Sequence, residues 1–159
     1  MADLLGDGNV KVTFCLNIAN ISAPTASELN AGVDLQEYIT KDGLNISPEQ
    51  AAVDNTSLAS REETEDAGTV KYTIELTCKR QQDPASDVAW NTLTDRQLGF
   101  LCVRRTLPHE TPWAPGQEVE VYPVRCGRPN RLPPELNTAQ RFTCKLFNHT
   151  APDPDAVVA

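Results

Sequence analysis

The sequence predicts a mainly β protein, a β-sandwich or partly closed barrel of two packed sheets with one flanking α-helix. Three observations favour this fold. Several segments alternate apolar and polar residues with period two. The 12 Pro and 8 Gly are spread along the chain, which is typical of short elements joined by turns. Only one segment has a strong helical pattern. A length of 159 residues suits a single domain over residues 1–159.

Two segments alternate most clearly and predict strands with one buried face. Residues 10–18 place apolar side chains on one face, namely Val10, Val12, Phe14, Leu16 and Ile18. Residues 70–78 do the same with Val70, Tyr72, Ile74, Leu76 and Cys78. The opposite face of this second strand is polar and carries Lys71, Thr73, Glu75 and Thr77.

Three further strands are predicted over residues 99–104, 118–124 and 140–148. Residues 99–104 lack alternation, so this strand is expected to be covered on both faces. Pro123 cannot donate a backbone hydrogen bond and predicts a sheet edge or bulge there. Shorter strands are predicted at residues 37–40, 43–46 and 56–62.

Two segments carry helix signals. Thr25 followed by Glu28 forms the capping-box pattern, which predicts one helical turn. Residues 86–97 are the stronger helix candidate, with Asp87 or the preceding serine as cap and Gly99 as the stop.

Two stretches do not read as core. Residues 47–68 are polar and acidic and predict a long inter-strand loop or arm, and residues 150–159 predict a mobile C-terminal tail. The charge is uneven, since residues 1–78 hold 13 acidic and 4 basic side chains and residues 79–159 hold 9 and 10. This split indicates either solvated surface or acidic and basic faces that meet on successive copies of the chain.

The five cysteines are odd in number and widely spaced, without a Cys-x-x-Cys pair. They are therefore expected to be buried free thiols rather than a disulfide framework. The N-terminus lacks the pattern of a signal peptide, and no apolar run approaches the length of a bilayer span, so synthesis in the cytoplasm without membrane insertion is expected. A net charge of −8 argues against binding to nucleic acid.

The residues that carry chemistry are sparse, so the sequence predicts neither an enzyme nor a cofactor. His109 lies beside Glu110, but no nucleophile motif accompanies them. Cys126, Cys144 and His149 lack the spacing of a zinc site. The acidic residues of the arm lack the spacing of a calcium loop and are expected to be a solvated turn, namely Glu62, Glu63, Glu65 and Asp66.

The basic side chains concentrate at five arginines, which are Arg104, Arg105, Arg125, Arg128 and Arg131. They indicate either scattered surface charge or inter-subunit contacts with the acidic loops of neighbouring copies.

The most distinctive sequence motif lies in residues 22–46. Pro24-Thr25 is followed after two residues by Glu28-Leu29-Asn30-Ala31-Gly32, and after one more by Asp34-Leu35. This motif resembles the N-terminal part of tail tube (major tail) proteins of long-tailed phages that infect actinobacteria. Further similar segments follow in chain order, covering residues 54–58, 68–70, 90–93, 99–105, 113–117, 119–124 and 133–137. The resemblance spans residues 10 to 159.

The resemblance implies six copies joined edge to edge into a ring, and rings stacked into a tube with an acidic lumen. Phage DNA would pass through it without specific binding, and the tape-measure, tail-tip and terminator proteins would be partners. The protein would belong to the virion tail and be assembled in the host cytoplasm. The polar face of residues 71–77 would line the lumen. Inter-ring stacking would fall to the arm, namely Asn55, Arg61, Glu62, Glu63, Glu65 and Asp66.

Two alternatives remain open from the residues alone. One is a phage adaptor, a head–tail joining protein or another soluble β-sandwich binding module, and the other is a small enzyme that uses His109 with Glu110.

Overall fold

A computed structural model describes all 159 residues and shows nine strands in one antiparallel sheet with two short helices. In chain order the elements are β1 (Lys11–Cys15), α1 (Ala26–Asn30), β2 (Val33–Asp34), β3 (Ile39–Asp54), β4 (Glu65–Lys79), α2 (Val88–Thr92), β5 (Leu98–Arg104), β6 (Glu118–Cys126), β7 (Asn130–Arg131), β8 (Arg141–Asn148) and β9 (Asp153–Val157). The mainly β class is confirmed.

The sheet runs in the order β2-β1-β5-β6-β8-β4-β3, with β7 on β8 and β9 on β6. Its two edge strands, β2 and β3, are joined by only four residues, 35–38. Within this segment the amide of Leu35 donates to Val12 of β1, and Tyr38 accepts from the amide of Lys79 in β4. The two edges therefore meet, and the prediction of two packed sheets is corrected to one sheet curled into a partly closed barrel.

The main core lies inside this curled sheet. Its 16 buried residues come from β1, β4, β5, β6 and β8, with Leu35, Ala89 of α2 and Leu93 just after α2. The alternation predicted for β4 holds at Ile74, Leu76 and Cys78, none of which is exposed to solvent. At the start of that alternation Val70 is 48% exposed, because this end of β4 extends beyond the body.

A second core covers the outer face of β1, β5 and β6 and changes the interpretation of β1. The predicted half-buried strand over residues 10–18 is only five residues long, and all five are buried. The hydroxyl of Thr13 donates to Asp34 and accepts from the indole N–H of Trp113. Lys11 pairs with Asp34 at 3.3 Å. The polar side chains of β1 are therefore buried with hydrogen-bond or ion-pair partners, and they do not face solvent.

The motif of residues 22–35 builds much of this covering layer. The capping box of Thr25 and Glu28 is present, which confirms the first predicted helical turn. Leu29 is fully buried, and the side chain of Asn30 bonds both the amide and the carbonyl of Trp113. A Cβ on Gly32 would lie 2.6 Å from a methyl group of β1, so only glycine allows this close approach.

The predicted arm at residues 47–68 is a β-hairpin rather than a loop. The ladder of β3 and β4 continues from Leu44–Leu76 to Asp54–Glu65, and only residues 55–64 lie outside strands. The strands predicted at 37–40 and 43–46 merge into β3, whereas the strand predicted at 56–62 is wrong, because those residues form the hairpin end.

The C-terminal tail is likewise ordered against the body. In β9, Ala156 pairs with Val119, and Ala156 and Val158 are 2% and 3% exposed. The prediction of a mobile tail over residues 150–159 is therefore corrected.

The helix predicted over 86–97 is also shorter, at five residues. Asp87 does not cap it, because its carboxylate accepts from Arg80 and from the amide of Gln81. The amide of Arg96 donates to Cys126, which draws the chain into the sheet. A single flanking helix was expected, and the structure has two short ones. Neither helix has the length or apolar character that crossing a membrane requires.

All five cysteines are buried free thiols, as the sequence predicts. Cys15 and Cys102 lie close, with their sulfur atoms 4.0 Å apart. Burial raises the pKa of the Cys78 thiol to about 12, so this group stays protonated at neutral pH. These thiols pack as small apolar groups.

Candidate assembly surfaces

The free part of the β3–β4 hairpin is the most conspicuous surface feature. Strand β4 pairs with β8 only from Thr73 to Lys79, so its residues 65–72 pair with β3 alone. Seven residue steps from Tyr72 to Glu65 give a two-stranded ribbon of about 24 Å. An isolated two-stranded ribbon is marginally stable in water. A hairpin of this length therefore calls for a partner surface.

The end of this hairpin, which we call the acidic tip, comprises residues 54–66. It holds the carboxylates of Asp54, Glu62, Glu63, Glu65 and Asp66 and one basic side chain, Arg61. None of these side chains makes an ion pair within 4 Å. A hydrogen bond from the amide of Thr56 lowers the pKa of Asp54 and keeps it charged. The side chain of Asn55 is engaged within the hairpin end, because its oxygen accepts a hydrogen bond from the hydroxyl of Thr64.

Strand β3 also presents a free edge. It has 16 residues and pairs only with β4, so its other side carries backbone groups without strand partners. Pro48 and a ladder irregularity between Gln50 and Ala52 interrupt this edge. Such features limit uncontrolled pairing of an edge strand with other chains.

The predicted lumen residues share one polar face on the outside of β3, β4 and β8. Directly opposite partners in an antiparallel ladder project to the same side. Thr73 lies between Ser47 and Phe147, and Glu75 lies between Asn45 and Lys145. Lys71 and Glu75 are exposed, and Thr73 and Thr77 are half-buried.

The charge of this polar face is mixed rather than acidic. Along Lys71–Thr77 its charged side chains are two carboxylates and two ammonium groups, namely Glu49, Glu75, Lys71 and Lys145. The next pair on this face, Lys79 and Arg141, is basic. Exposed Arg125 lies opposite Phe147 on the same side and adds a further positive charge. The expectation of an acidic lumen therefore finds no support in the charge of this face.

The five predicted contact arginines fall into different environments. Arg104 is 1% exposed, and its guanidinium donates to carbonyls of the 105–117 loop. Burial lowers its pKa, and the nearby charge of Asp34 opposes that shift. This prediction is corrected, because a buried side chain offers nothing to a neighbour. Arg105 is half-exposed and pairs with Glu120 at 2.5 Å.

The other three arginines lie on the surface. Arg125 and Arg128 are exposed, and neither forms an ion pair within 4 Å. Arg131 lies over Trp90, with its guanidinium carbon 4.7 Å from the ring centroid. Arg80 lies over the same ring at 4.0 Å, and Trp90 packs edge-on against Phe142 of the core. Sequence inspection misses this cluster, because the four residues are far apart in the chain.

The side chains considered for catalysis or metal binding do not come together in one site. His109 is 4.0 Å from Glu110 and also contacts the carbonyl oxygen of Gly8. No group of three or more His, Cys, Asp or Glu side chains is arranged to hold a metal ion. The surfaces that stand out are those of a protein that assembles.

Comparison with known proteins agrees with this class. The family model for phage tail tube proteins matches residues 1–159, and the chain belongs to this family. It is a structural protein of the bacteriophage virion tail, not an enzyme, and it assembles with other tail proteins. A comparison with curated proteins finds no match.

Solved structures show a similar fold. One is a chain of the anti-feeding prophage (AFP) baseplate, solved by cryo-EM with six-fold symmetrisation, which is 13% identical with a TM-score of 0.57. The match covers 94% of this chain and 95% of that chain. At this identity the likeness concerns the fold alone.

Proposed function

We propose that the protein polymerises as hexameric rings that stack into the tail tube of a long-tailed phage of actinobacteria, the conduit for DNA delivery into the host. The observation that carries this proposal is the free β3–β4 hairpin with its unpaired 16-residue edge strand. A ring of copies would pair that edge and leave no open sheet edge. The family membership and the likeness to a six-fold symmetrised baseplate support the six-fold arrangement.

The hairpin would supply the contact between rings. Residues 47–66 of the hairpin are almost entirely exposed, which is unusual for a long ribbon in an isolated domain. Contacts would come from the residues of the acidic tip, including Asn55 and Arg61, and assembly would take place in the host cytoplasm. The tape-measure, tail-tip and terminator proteins would be further partners.

The polar face of β3, β4 and β8 would line the lumen. Most of its side chains are small or charged, including Lys71, Thr73, Glu75 and Thr77, and Phe147 is an exposed aromatic group among them. The mixed charge would leave DNA weakly held, because the fields of neighbouring charges of opposite sign partly cancel, and salt screens the remainder beyond a Debye length of about 10 Å. Arg125 and Arg128 would lie at subunit boundaries.

Negative-stain electron microscopy with sedimentation velocity across concentration tests this proposal. Wild type is expected to form hexameric rings or hollow tubes. In a shortened variant, residues 50–70 are replaced by Asn-Gly, which joins the directly opposed Glu49 and Lys71 through a two-residue turn. This variant is expected to keep the body fold and lose stacking. A wild type that stays monomeric even when a tail-tip initiator is added would overturn the tube and favour an adaptor or binding module.

A further inference from the structure

A basic surface lies at the opposite end of β4 from the acidic tip. It is formed by Lys79 and Arg80 at the end of β4, Arg131 of β7 and Arg141 at the start of β8. The register brings these strand ends together, since Lys79 pairs with Arg141 and the amide of Arg80 donates to Gln140. We call this set, together with Trp90 and Leu136, the basic end.

Arg131 is the arginine of the basic end that is free to bind a partner. Arg80 is engaged with Asp87 at 2.6 Å and Arg141 with Glu135 at 3.6 Å, whereas Arg131 has no carboxylate within 4 Å. Its guanidinium lies over Trp90, and Trp90 is held against Phe142 in the core. A guanidinium that rests on an aromatic face keeps its in-plane N–H donors available for a carboxylate.

An exposed leucine follows Glu135, the partner of Arg141 in the basic end. Leu136 lies in the connection between β7 and β8 and is 93% exposed. The acidic tip has a counterpart, since Leu58 is 106% exposed at its centre. Each surface thus carries one fully exposed leucine among charges of a single dominant sign. An apolar anchor surrounded by charged groups is typical of a protein interface.

The two surfaces are arranged to meet between copies rather than within one. The 14 residue steps of β4 from Glu65 to Lys79 separate them by about 45 Å along the strand. The acidic tip carries five carboxylates and one arginine. A translation of one copy along this direction would therefore bring acid to base, which makes a head-to-tail contact.

We infer that the basic end is the docking site for the acidic tip of a second copy of this chain, with Arg131 bonding tip carboxylates and Leu136 packing on Leu58. The inference rests on the stacking assembly proposed above and names the receiving surface of that contact. Among the charged groups of the basic end, the carboxylates of Asp87 and Glu135 already have arginine partners, so Arg131 and Lys79 remain the unpaired charges.

A charge swap tests the inference. Arg131→Glu is expected to weaken stacking by about tenfold or more, because it places carboxylates opposite each other. Glu62→Arg with Glu63→Arg in the tip is expected to weaken stacking similarly. The combination of all three changes is expected to restore stacking to within about threefold of wild type. Arg96→Glu makes the same change in charge as Arg131→Glu at an exposed arginine. The amide of Arg96 bonds Cys126, which lies level with Leu146 and Ile74 in the middle of the sheet, so this variant serves as the matched control.

Stacking is measured by sedimentation velocity and by tube length in electron micrographs, at low and high salt. Near-UV circular dichroism of each variant reports whether the fold is kept. Two outcomes would show that the docking site is wrong while leaving the proposed tube assembly intact. In the first, Arg131→Glu stacks as well as wild type and the control. In the second, the triple variant stacks no better than Arg131→Glu or the double tip variant. If wild type forms no stack at any concentration, even with a tail-tip initiator added, the assembly itself is overturned, and the docking site with it.

Discussion

Two adjacent arginines differ in burial, and this difference predicts unequal losses of stability when each is replaced by methionine. Arg104 and Arg105 follow each other in sequence but differ in environment. The Arg104 side chain is 1% exposed and lies 5.0 Å from the centroid of Trp113. Its two terminal nitrogens donate to three backbone carbonyls and one side-chain amide, those of Pro108, Thr111, Pro112 and Gln117. Only its Nε lacks a partner. Arg104 therefore holds the 105–117 loop against the body.

Arg104→Met keeps most of the side-chain volume but removes a donor from four oxygens, of which those of Pro108 and Pro112 keep a second donor. Hydrogen bonds to a charged donor contribute about 1.5–3 kcal/mol each. These contributions do not add fully, because removing the guanidinium also removes the cost of burying it. Leaving an acceptor without its donor costs about 1–3 kcal/mol, so the two oxygens that lose their donor together cost about 2–6 kcal/mol. We expect a loss near the lower end, about 3 kcal/mol, which lowers Tm by about 6–12 °C for a chain of this size.

The matched control is Arg105→Met. Arg105 is 47% exposed at its side chain, and its ion pair with Glu120 is partly solvated, so the expected loss is below about 1 kcal/mol. Urea unfolding followed by far-UV circular dichroism, at concentrations where the subunit is monomeric, compares the two variants. Equal losses would refute the role of burial. An Arg104→Met subunit with wild-type stability but impaired assembly would place Arg104 at a subunit contact instead.

Three further predictions concern stability. Deletion of residues 153–159 removes buried Ala156 and Val158 and uncovers the second core, and we expect a loss of about 3 kcal/mol by urea unfolding. Thr25→Ala removes the helix cap and is expected to cost about 1 kcal/mol in the same assay. The pKa of Cys78 is raised from 9.0 to about 12, so its thiol stays protonated in the folded state after the unfolded chain has ionised. This stabilising contribution is complete below pH 9 and falls by about 1.4 kcal/mol per pH unit up to pH 12, and Cys78→Ala is expected to make the alkaline loss less steep.

Each of these predictions has a control. Substitution of exposed Val157 by Ser, within the strand that the deletion removes, should change stability by less than about 0.5 kcal/mol. Ser27→Ala, a neighbour of the cap in the same helix, should have less effect than Thr25→Ala. An unchanged unfolding midpoint after the deletion would show that β9 does not cover the second core. An alkaline slope identical in wild type and Cys78→Ala would show that this thiol is not protected.

Local patterns were sufficient for much of the fold. The alternation of Ile74, Leu76 and Cys78 predicts their burial, because period two is a property of any strand with one covered face. The capping box at Thr25 was also predictable, since it depends only on neighbours three residues apart. The distinctive motif of residues 22–35 pointed to the tail tube family. Its close packing on β1 shows why a small residue is needed at Gly32.

Other features depend on partners distant in sequence, and only the tertiary structure decided them. The hairpin strands at 47–54 and 65–68 have two exposed faces, so no apolar alternation marks them, and the ladder alone defines them. Strand β9 buries Ala156 and Val158 against residues from separate segments, among them Ile18 and Val119. The stacking of Arg131 on Trp90 likewise joins positions that share no local pattern. Sequence patterns report which side of a segment is apolar, whereas the partner that covers it is decided by the way the sheet closes.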